Sequence, residues 1–211
     1  MNPKRLYSKL QKYKILIFDL DDTIYPQVNF DTPSLLNVSS YIEEKTKIKK
    51  TFIFKKLRKL KKIRRGFPPN LIFNKFFSKI KISNKKKIIK NCINLFQNYD
   101  CNELKNSKSL KIVLKKLSKS KTLFLVTNGN IKRQKNKIKN LSINVYFKKI
   151  FILDGKKLKL KPSVTHVKFL VDYLKKNTFN KAVYVGDNKD TDMKFAKNLG
   201  IDYIFYQFPN I

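Results

Sequence analysis

Short apolar runs between polar segments divide the chain into predicted strands. Each of these runs is three to five residues long. A short, nearly continuous apolar run is typical of a strand in a parallel sheet. The runs lie at residues 14–18, 122–126, 150–153, 182–185 and 203–205. The pattern therefore predicts five strands, of which the first and the fourth are expected to be buried.

Amphipathic helical patterns separate the later strands. Apolar residues recur at helical spacing over residues 109–117, 164–174 and 191–199, and Gly200 follows the last of these as a stop signal. Strands that alternate with helices indicate βαβ units. We therefore predict an α/β fold with a Rossmann-like parallel sheet as its core.

A long helical segment interrupts this alternation after the first strand. Roughly 85 residues separate that strand from the next βα unit, which is far more than a usual connection needs. Four helical patterns occupy the segment, at residues 34–45, 51–63, 71–80 and 84–96, with a break at residues 66–69. We predict an all-α domain at residues 29–103, inserted into an α/β core formed by residues 1–28 and 104–211.

The chain is strongly basic, with a formal net charge of +35 over 211 residues. Only five of the 49 basic residues are Arg, and the chain has only two Ala, a bias that AT-rich codons produce. Phosphate recognition by nucleic-acid-binding proteins tends to use Arg, because its planar guanidinium binds phosphate through two donors. We therefore attribute the charge to base composition and expect no nucleic acid partner.

The cysteines and the N-terminal segment favour a cytoplasmic protein. Cys92 and Cys101 match no zinc spacing and no disulfide framework. The apolar run before Asp19 is too short for a signal-peptide core or a membrane span. We expect no association with a membrane, and the oligomeric state stays open.

Six of the fourteen acidic residues lie in two clusters, each directly after a predicted strand. The clusters are Asp19, Asp21 and Asp22 after the first strand and Asp187, Asp190 and Asp192 after the fourth. Carboxylates at such a density repel one another unless a cation lies between them, and a divalent metal prefers oxygen ligands. The alternative for Asp190 and Asp192 is that they cap the following helix.

Polar residues also follow the second and third predicted strands. Thr127 and Asn128 end the second strand before a turn and a helix, where a hydroxyl, an amide and backbone N–H groups suit a phosphate oxygen. Lys161 precedes a helix after the third strand and offers a compact positive charge. Ligands of open α/β sheets bind at the carboxyl ends of the strands, so these groups predict one shared site.

With these four motifs in this order, the sequence resembles the haloacid dehalogenase-like hydrolase superfamily, and in particular its subfamily I phosphatases. The resemblance implies that Asp19 is the nucleophile that forms an aspartyl-phosphate and that Asp21 is the general acid and base. It implies Mg²⁺ bound by Asp19, Asp187 and the backbone carbonyl of Asp21. It further implies that Thr127, Asn128 and Lys161 bind the phosphoryl group, with Thr23 and Asp192 in support.

The resemblance also gives the helical insert a role. In this superfamily such an insert is a cap of the C1 type, which closes over the site and reads the leaving group of the substrate. The segment from Asn128 to Asn130, together with Gln134, Lys137, Tyr146 and Phe147, is similar to phosphatases of small metabolites, including nucleotidases. The expected substrate is therefore a small phosphorylated metabolite such as a nucleotide or a sugar phosphate.

Two other functions stay open at this stage. A phosphomutase shares these motifs, and the positive charge leaves a nucleic-acid-binding or end-processing phosphatase as a further alternative. Several single residues also have two interpretations. Arg64 and Arg65 bind an anionic substrate or form a solvated helix end, and Tyr25, Phe30 and Phe67 line a pocket or pack in a core. We expect a surface or packing role for His166.

Overall fold

A computed structural model describes residues 1–63, 69–155, 158–177 and 181–209. The interpretations of Arg64, Arg65 and Phe67 lie outside the described residues. The described chain divides into two compact units, Met1–Gln27 with Leu104–Ile211 and Val28–Glu103. Each unit is considered separately, and we call them the sheet unit and the helical unit.

The sheet unit contains one five-stranded parallel sheet in the order β3-β2-β1-β4-β5. The strands are β1 (Ile15–Phe18), β2 (Thr122–Asn128), β3 (Lys149–Leu153), β4 (Ala182–Gly186) and β5 (Asp202–Phe205). The pairing places Phe18 beside Leu125 of β2 and Val185 of β4. The predicted α/β fold with a Rossmann-like parallel sheet is therefore confirmed.

Helices cover the sheet. They are α1 (Pro3–Leu10), α6 (Lys111–Leu117), α7 (Ile131–Asn140), α8 (Lys168–Lys176) and α9 (Lys194–Leu199). One apolar core includes Ile17 of β1, Phe124 of β2 and Tyr184 of β4, packed with Leu170 of α8 and Phe195 of α9. All four residues of the central strand β1 are buried, so both of its faces are covered, as its continuous apolar sequence predicts.

The helical unit contains α2 (Val28–Thr46), α3 (Lys50–Ile63), α4 (Pro69–Phe77) and α5 (Lys85–Gln97), and no strand is found in its described residues. The ring of Phe96 packs edge-to-face against Phe30 at 5.7 Å and Phe73 at 6.3 Å between ring centroids. These contacts give Phe30 a packing role. The described residues of the inserted segment form helices, as the sequence pattern predicts.

Two helices begin at other residues than the sequence pattern predicts. The helix predicted to begin at residue 34 begins at Val28 and continues through Pro33, which removes one backbone donor; the burial of Phe30 and Leu35 on either side favours the helix. The helix predicted from residue 191 is preceded by a π-helical turn over Lys189–Met193. In the described part of the chain, no helix combines the length and the apolar character that crossing a bilayer requires.

Candidate active site

The carboxyl ends of β1 and β4 bring two acidic residues together. Asp19 directly follows β1, and its backbone N–H donates to the Val185 carbonyl at 2.9 Å, which continues the pairing with β4 by one residue. β4 ends at Gly186, so Asp187 leaves the sheet at the same edge. Parallel pairing of these two central strands therefore puts residues 168 positions apart in one place.

Asp19, Asp187 and Asp192 form a carboxylate cluster. Each offers one oxygen, and these oxygens all lie within 4.8 Å of one another. Asp192 comes from the π-helical turn, whose start is capped by the Asn188 side chain accepting from the backbone N–H groups of residues 190 and 191. Asp19 and Asp192 are buried and Asp187 is partly exposed. Three hard oxygen donors with one open side fit a divalent cation such as Mg²⁺.

Lys161 lies against this cluster and is buried. Its Nζ donates to Asp19 Oδ1 at 2.5 Å, to Asp192 Oδ1 at 2.7 Å and to the Tyr184 hydroxyl at 2.8 Å. Its backbone N–H donates to Asn128 Oδ1 at 2.9 Å, which ties the loop carrying Lys161 to the end of β2. The ammonium is therefore fixed beside the carboxylate of Asp19.

Burial dominates the electrostatics of this group. It raises the pKa of Asp19 well above its usual value, against the opposing charge of Lys161, and the neighbouring Asp192 adds to the rise. Burial alone would lower the pKa of Lys161, but the carboxylates of Asp19 and Asp192 raise it instead. A bound cation would relieve the cost of two buried carboxylates.

Asp21 points to a different set of partners. Its Oδ1 accepts from Lys137 Nζ at 2.7 Å and from the Tyr25 hydroxyl at 2.6 Å, and its Oδ2 accepts from Gln134 Nε2 at 3.0 Å. Burial would raise the pKa of this carboxyl, but the charge of Lys137 and the three hydrogen bonds lower it below its ordinary value. Asp21 is therefore ionised and tightly held at neutral pH.

The end of β2 supplies the neutral polar groups of the site. Thr127 is buried, and its hydroxyl lies 2.8 Å from Gln134 Nε2, which also approaches the Asn128 carbonyl at 3.3 Å. Asn130 then caps α7, because its side chain accepts from the backbone N–H of Arg133 at 3.0 Å. The chain thus turns directly from a strand end into a helix N-terminus, as an oxyanion-binding segment requires.

The sequence model of the haloacid dehalogenase-like hydrolase family matches residues 16–206, which include all of these positions. The chain belongs to the haloacid dehalogenase-like hydrolase family. No curated protein matches its sequence.

Several solved structures share the fold of this hydrolase. A subfamily IA hydrolase of the same superfamily from Geobacter sulfurreducens is 15% identical with a TM-score of 0.65, covering 95% of this chain and 90% of its own. A phosphatase of the superfamily from Thermococcus onnurineus is 20% identical with a TM-score of 0.56, covering 91% and 85%. YfnB from Bacillus subtilis, solved with magnesium bound, is 17% identical with a TM-score of 0.61, covering 92% and 89%. At these identities the likeness concerns the fold.

The hydrolase fold does not gather every acidic residue of the two sequence clusters. The Asp21 carboxylate faces α7 rather than the carboxylate cluster, so only its backbone carbonyl stays as a predicted metal ligand. Asp22 accepts from the Gln27 backbone N–H at 2.9 Å. Asp190 is exposed, and its Oδ1 lies 3.4 Å from Lys194 Nζ. Thr23 is fully buried, and no partner for its hydroxyl is found among the described residues.

Sequence reasoning missed the contact of Tyr184 with Lys161 and the contacts of α7 and Tyr25 with Asp21. The sequence gives no signal for α7, because its buried positions include Gln134, Lys137 and Asn140, whereas an ordinary amphipathic helix buries apolar residues. Polar residues on the buried face of a helix indicate that the helix contacts a polar site. His166 is exposed and lies in the turn before α8, in line with its expected surface role.

Proposed function

We propose that this hydrolase is a Mg²⁺-dependent phosphatase that removes the phosphoryl group from a small phosphorylated metabolite, such as a nucleotide or a sugar phosphate. One observation carries the proposal. A fixed ammonium, Lys161, contacts the buried carboxylates of Asp19 and Asp192, and one oxygen each of Asp19, Asp187 and Asp192 lie within 4.8 Å of one another. Such a constellation can hold a cation and an anionic phosphate around one nucleophilic oxygen.

In the first half of the reaction, an Asp19 carboxylate oxygen attacks phosphorus while the bond from phosphorus to the ester oxygen breaks. Lys161 and the Thr127 hydroxyl bind the phosphoryl oxygens, with Asn128 holding the Lys161 loop in place. Magnesium, held by Asp19, Asp187 and the Asp21 carbonyl, would neutralise the charge that otherwise repels a carboxylate from a phosphate. The product of this half is an aspartyl-phosphate on Asp19.

Asp21 transfers the protons. The leaving oxygen takes a proton from Asp21 as the ester bond breaks. Since Asp21 is ionised in the free protein, that proton comes from the bound monoester, whose second pKa is about 6. In the second half Asp21 accepts a proton from water, the resulting hydroxide oxygen bonds to phosphorus, and the bond from phosphorus to Asp19 breaks. Inorganic phosphate leaves, Asp21 gives up its proton to the phosphate or to solvent, and both carboxylates are restored.

The decisive experiment is a screen of phosphate release from nucleotides, sugar phosphates and phosphoglycolate with Asp19→Asn. The wild type should release phosphate from at least one of them in Mg²⁺ and lose that activity in EDTA. Asp19→Asn should reduce release at least about a thousandfold because the amide is no nucleophile. Asp172→Asn is the matched control, since Asp172 is exposed on α8, and it should keep wild-type activity.

Two outcomes would contradict the proposal. Retained activity in a clean preparation of Asp19→Asn would remove Asp19 as the nucleophile. Undiminished activity in EDTA would remove the metal. Isomerised product in place of free phosphate would instead indicate the phosphomutase alternative.

A further inference from the structure

Among the described residues, two lysines of this lysine-rich chain are buried, Lys161 and Lys137. A buried ammonium is costly unless a partner compensates for the lost water. Lys161 donates to Asp19 and Lys137 donates to Asp21. Each buried lysine therefore contacts one of the two carboxylates that the proposed reaction uses. Lys161 binds the phosphoryl group in that reaction, whereas Lys137 contacts the carboxylate that transfers the protons.

The hydrogen bonds distinguish the two oxygens of Asp21. Oδ1 accepts from two donors, Lys137 Nζ at 2.7 Å and the Tyr25 hydroxyl at 2.6 Å, so both of its lone pairs are occupied. Among the described residues, Oδ2 accepts from one donor, the neutral amide of Gln134, at 3.0 Å. Oδ2 is therefore the oxygen of this carboxylate that has the fewer protein donors.

The same donors connect Asp21 to the phosphate-binding end of β2. Lys137 and Gln134 are three residues apart on α7, so they project from one face of the helix, and both are fully buried. The Gln134 Nε2 lies between Asp21 Oδ2 and the Thr127 hydroxyl, at 3.0 and 2.8 Å. The helix therefore fixes the carboxylate relative to the group that binds phosphate.

We propose that Lys137 is a positioning residue which, with Tyr25 and Gln134, holds the Asp21 carboxylate so that Oδ2 carries the proton to and from the reacting oxygens. The inference rests on the proposed phosphatase function and deepens it. Without these donors the carboxylate can rotate about its two side-chain bonds, and proton transfer requires hydrogen-bond reach of the leaving oxygen. Attack by Asp19 on phosphorus does not depend on Lys137.

The test compares leaving groups. The p-nitrophenolate of p-nitrophenyl phosphate leaves without a proton, whereas the alkoxide of an alkyl phosphate, such as glycerol phosphate, needs one. With Mg²⁺ and the full chain, Lys137→Met should lower kcat/KM at least about tenfold more on the alkyl phosphate than on the aryl phosphate. Asp21→Asn should show the same selectivity with a larger loss. Lys135→Met, an exposed lysine on the same helix, should change neither.

A second variant covers the case in which Lys137→Met does not fold. Tyr25→Phe removes only one oxygen from a buried ring and one of the two donors to Oδ1, so it should show a smaller loss with the same preference. Equal losses on both substrates in these variants would overturn the proposal and leave Lys137 a structural role. A loss that is equal on both substrates in Asp21→Asn would instead remove Asp21 as the acid and, with it, this inference.

Discussion

Gly186, the last residue of β4, lies directly against Asp192, and replacing it with alanine tests the packing of the carboxylate cluster. A Cβ built on Gly186 would lie 2.6 Å from Cγ and 2.7 Å from Cβ of Asp192, and closer still to Oδ2. The φ angle of Gly186 lies outside the left-handed region, so alanine causes no backbone strain there. The whole cost of the substitution is therefore steric.

The size of the effect follows from these distances. Ordinary contacts of a Cβ begin at 3.4 Å, so the atoms of Asp192 have to move by about 0.7 to 1.1 Å, Oδ2 the furthest. Asp192 is short and is held by Lys161 Nζ at 2.7 Å and by the Asn188 backbone N–H at 3.1 Å. A shift of this size is enough to break the bond to Lys161. We expect a destabilisation of ~1–3 kcal/mol, as for other overpacked cores, and a loss of phosphate release of about a hundredfold.

A double-mutant cycle shows whether Asp192 is the cause. Thermal unfolding and phosphate release are measured for the wild type, Gly186→Ala, Asp192→Gly and the double variant. Asp192→Gly removes the Cβ, Cγ and Oδ2 atoms that the new methyl would meet, so Gly186→Ala should cost less than ~0.5 kcal/mol in that background. The same cost in both backgrounds, or no cost in either, would refute the steric argument.

Two further predictions concern the buried charges. Lys161→Met leaves the carboxylates of Asp19 and Asp192 without their ammonium, so in EDTA it should destabilise the protein by ~3–5 kcal/mol. Added Mg²⁺ should raise the Tm of Lys161→Met more than that of the wild type. Equal increases in Tm would contradict a shared cation site. Because the pKa of Asp21 is held below its ordinary value, the stability from its pair with Lys137 is present above pH ~4 and is lost on acidification. The Tm difference between wild type and Asp21→Asn in EDTA should therefore shrink from pH ~6 to pH ~3, and a widening difference would show that the sign is wrong.

The sheet could be predicted closely from the sequence because its central strands are apolar on both faces. The first strand was expected from residue 14 and begins at Ile15, and the second continues from Val126 to Asn128. Helix α1 was not predicted, since its first residues read mainly as a basic segment, although Leu6 and Leu10 are buried. A helix of two turns with two apolar contacts gives too little periodicity to recognise.

The candidate site was predictable only where a strand end dictates position. Asp19 and Asp187 follow adjacent parallel strands, so their proximity is a consequence of the sheet. The contact between Asp21 and Lys137 depends instead on how α7 is oriented over the sheet, which no local pattern specifies. In a chain with so many lysines, a single buried one is also hidden by its solvated neighbours until burial is known.

The order of the strands has a consequence for synthesis. β1 pairs with β2 and β4, whose sequences begin more than a hundred residues later, and the helical unit is translated in between. On the ribosome, where the N-terminal part emerges first, the strand that precedes Asp19 has no partner strand until β2, and then β4, have been translated. Pairings between such distant segments form slowly. The nascent chain therefore exposes an apolar tetrapeptide, Ile15–Phe18, for most of its translation, and holding chaperones have a defined segment to protect.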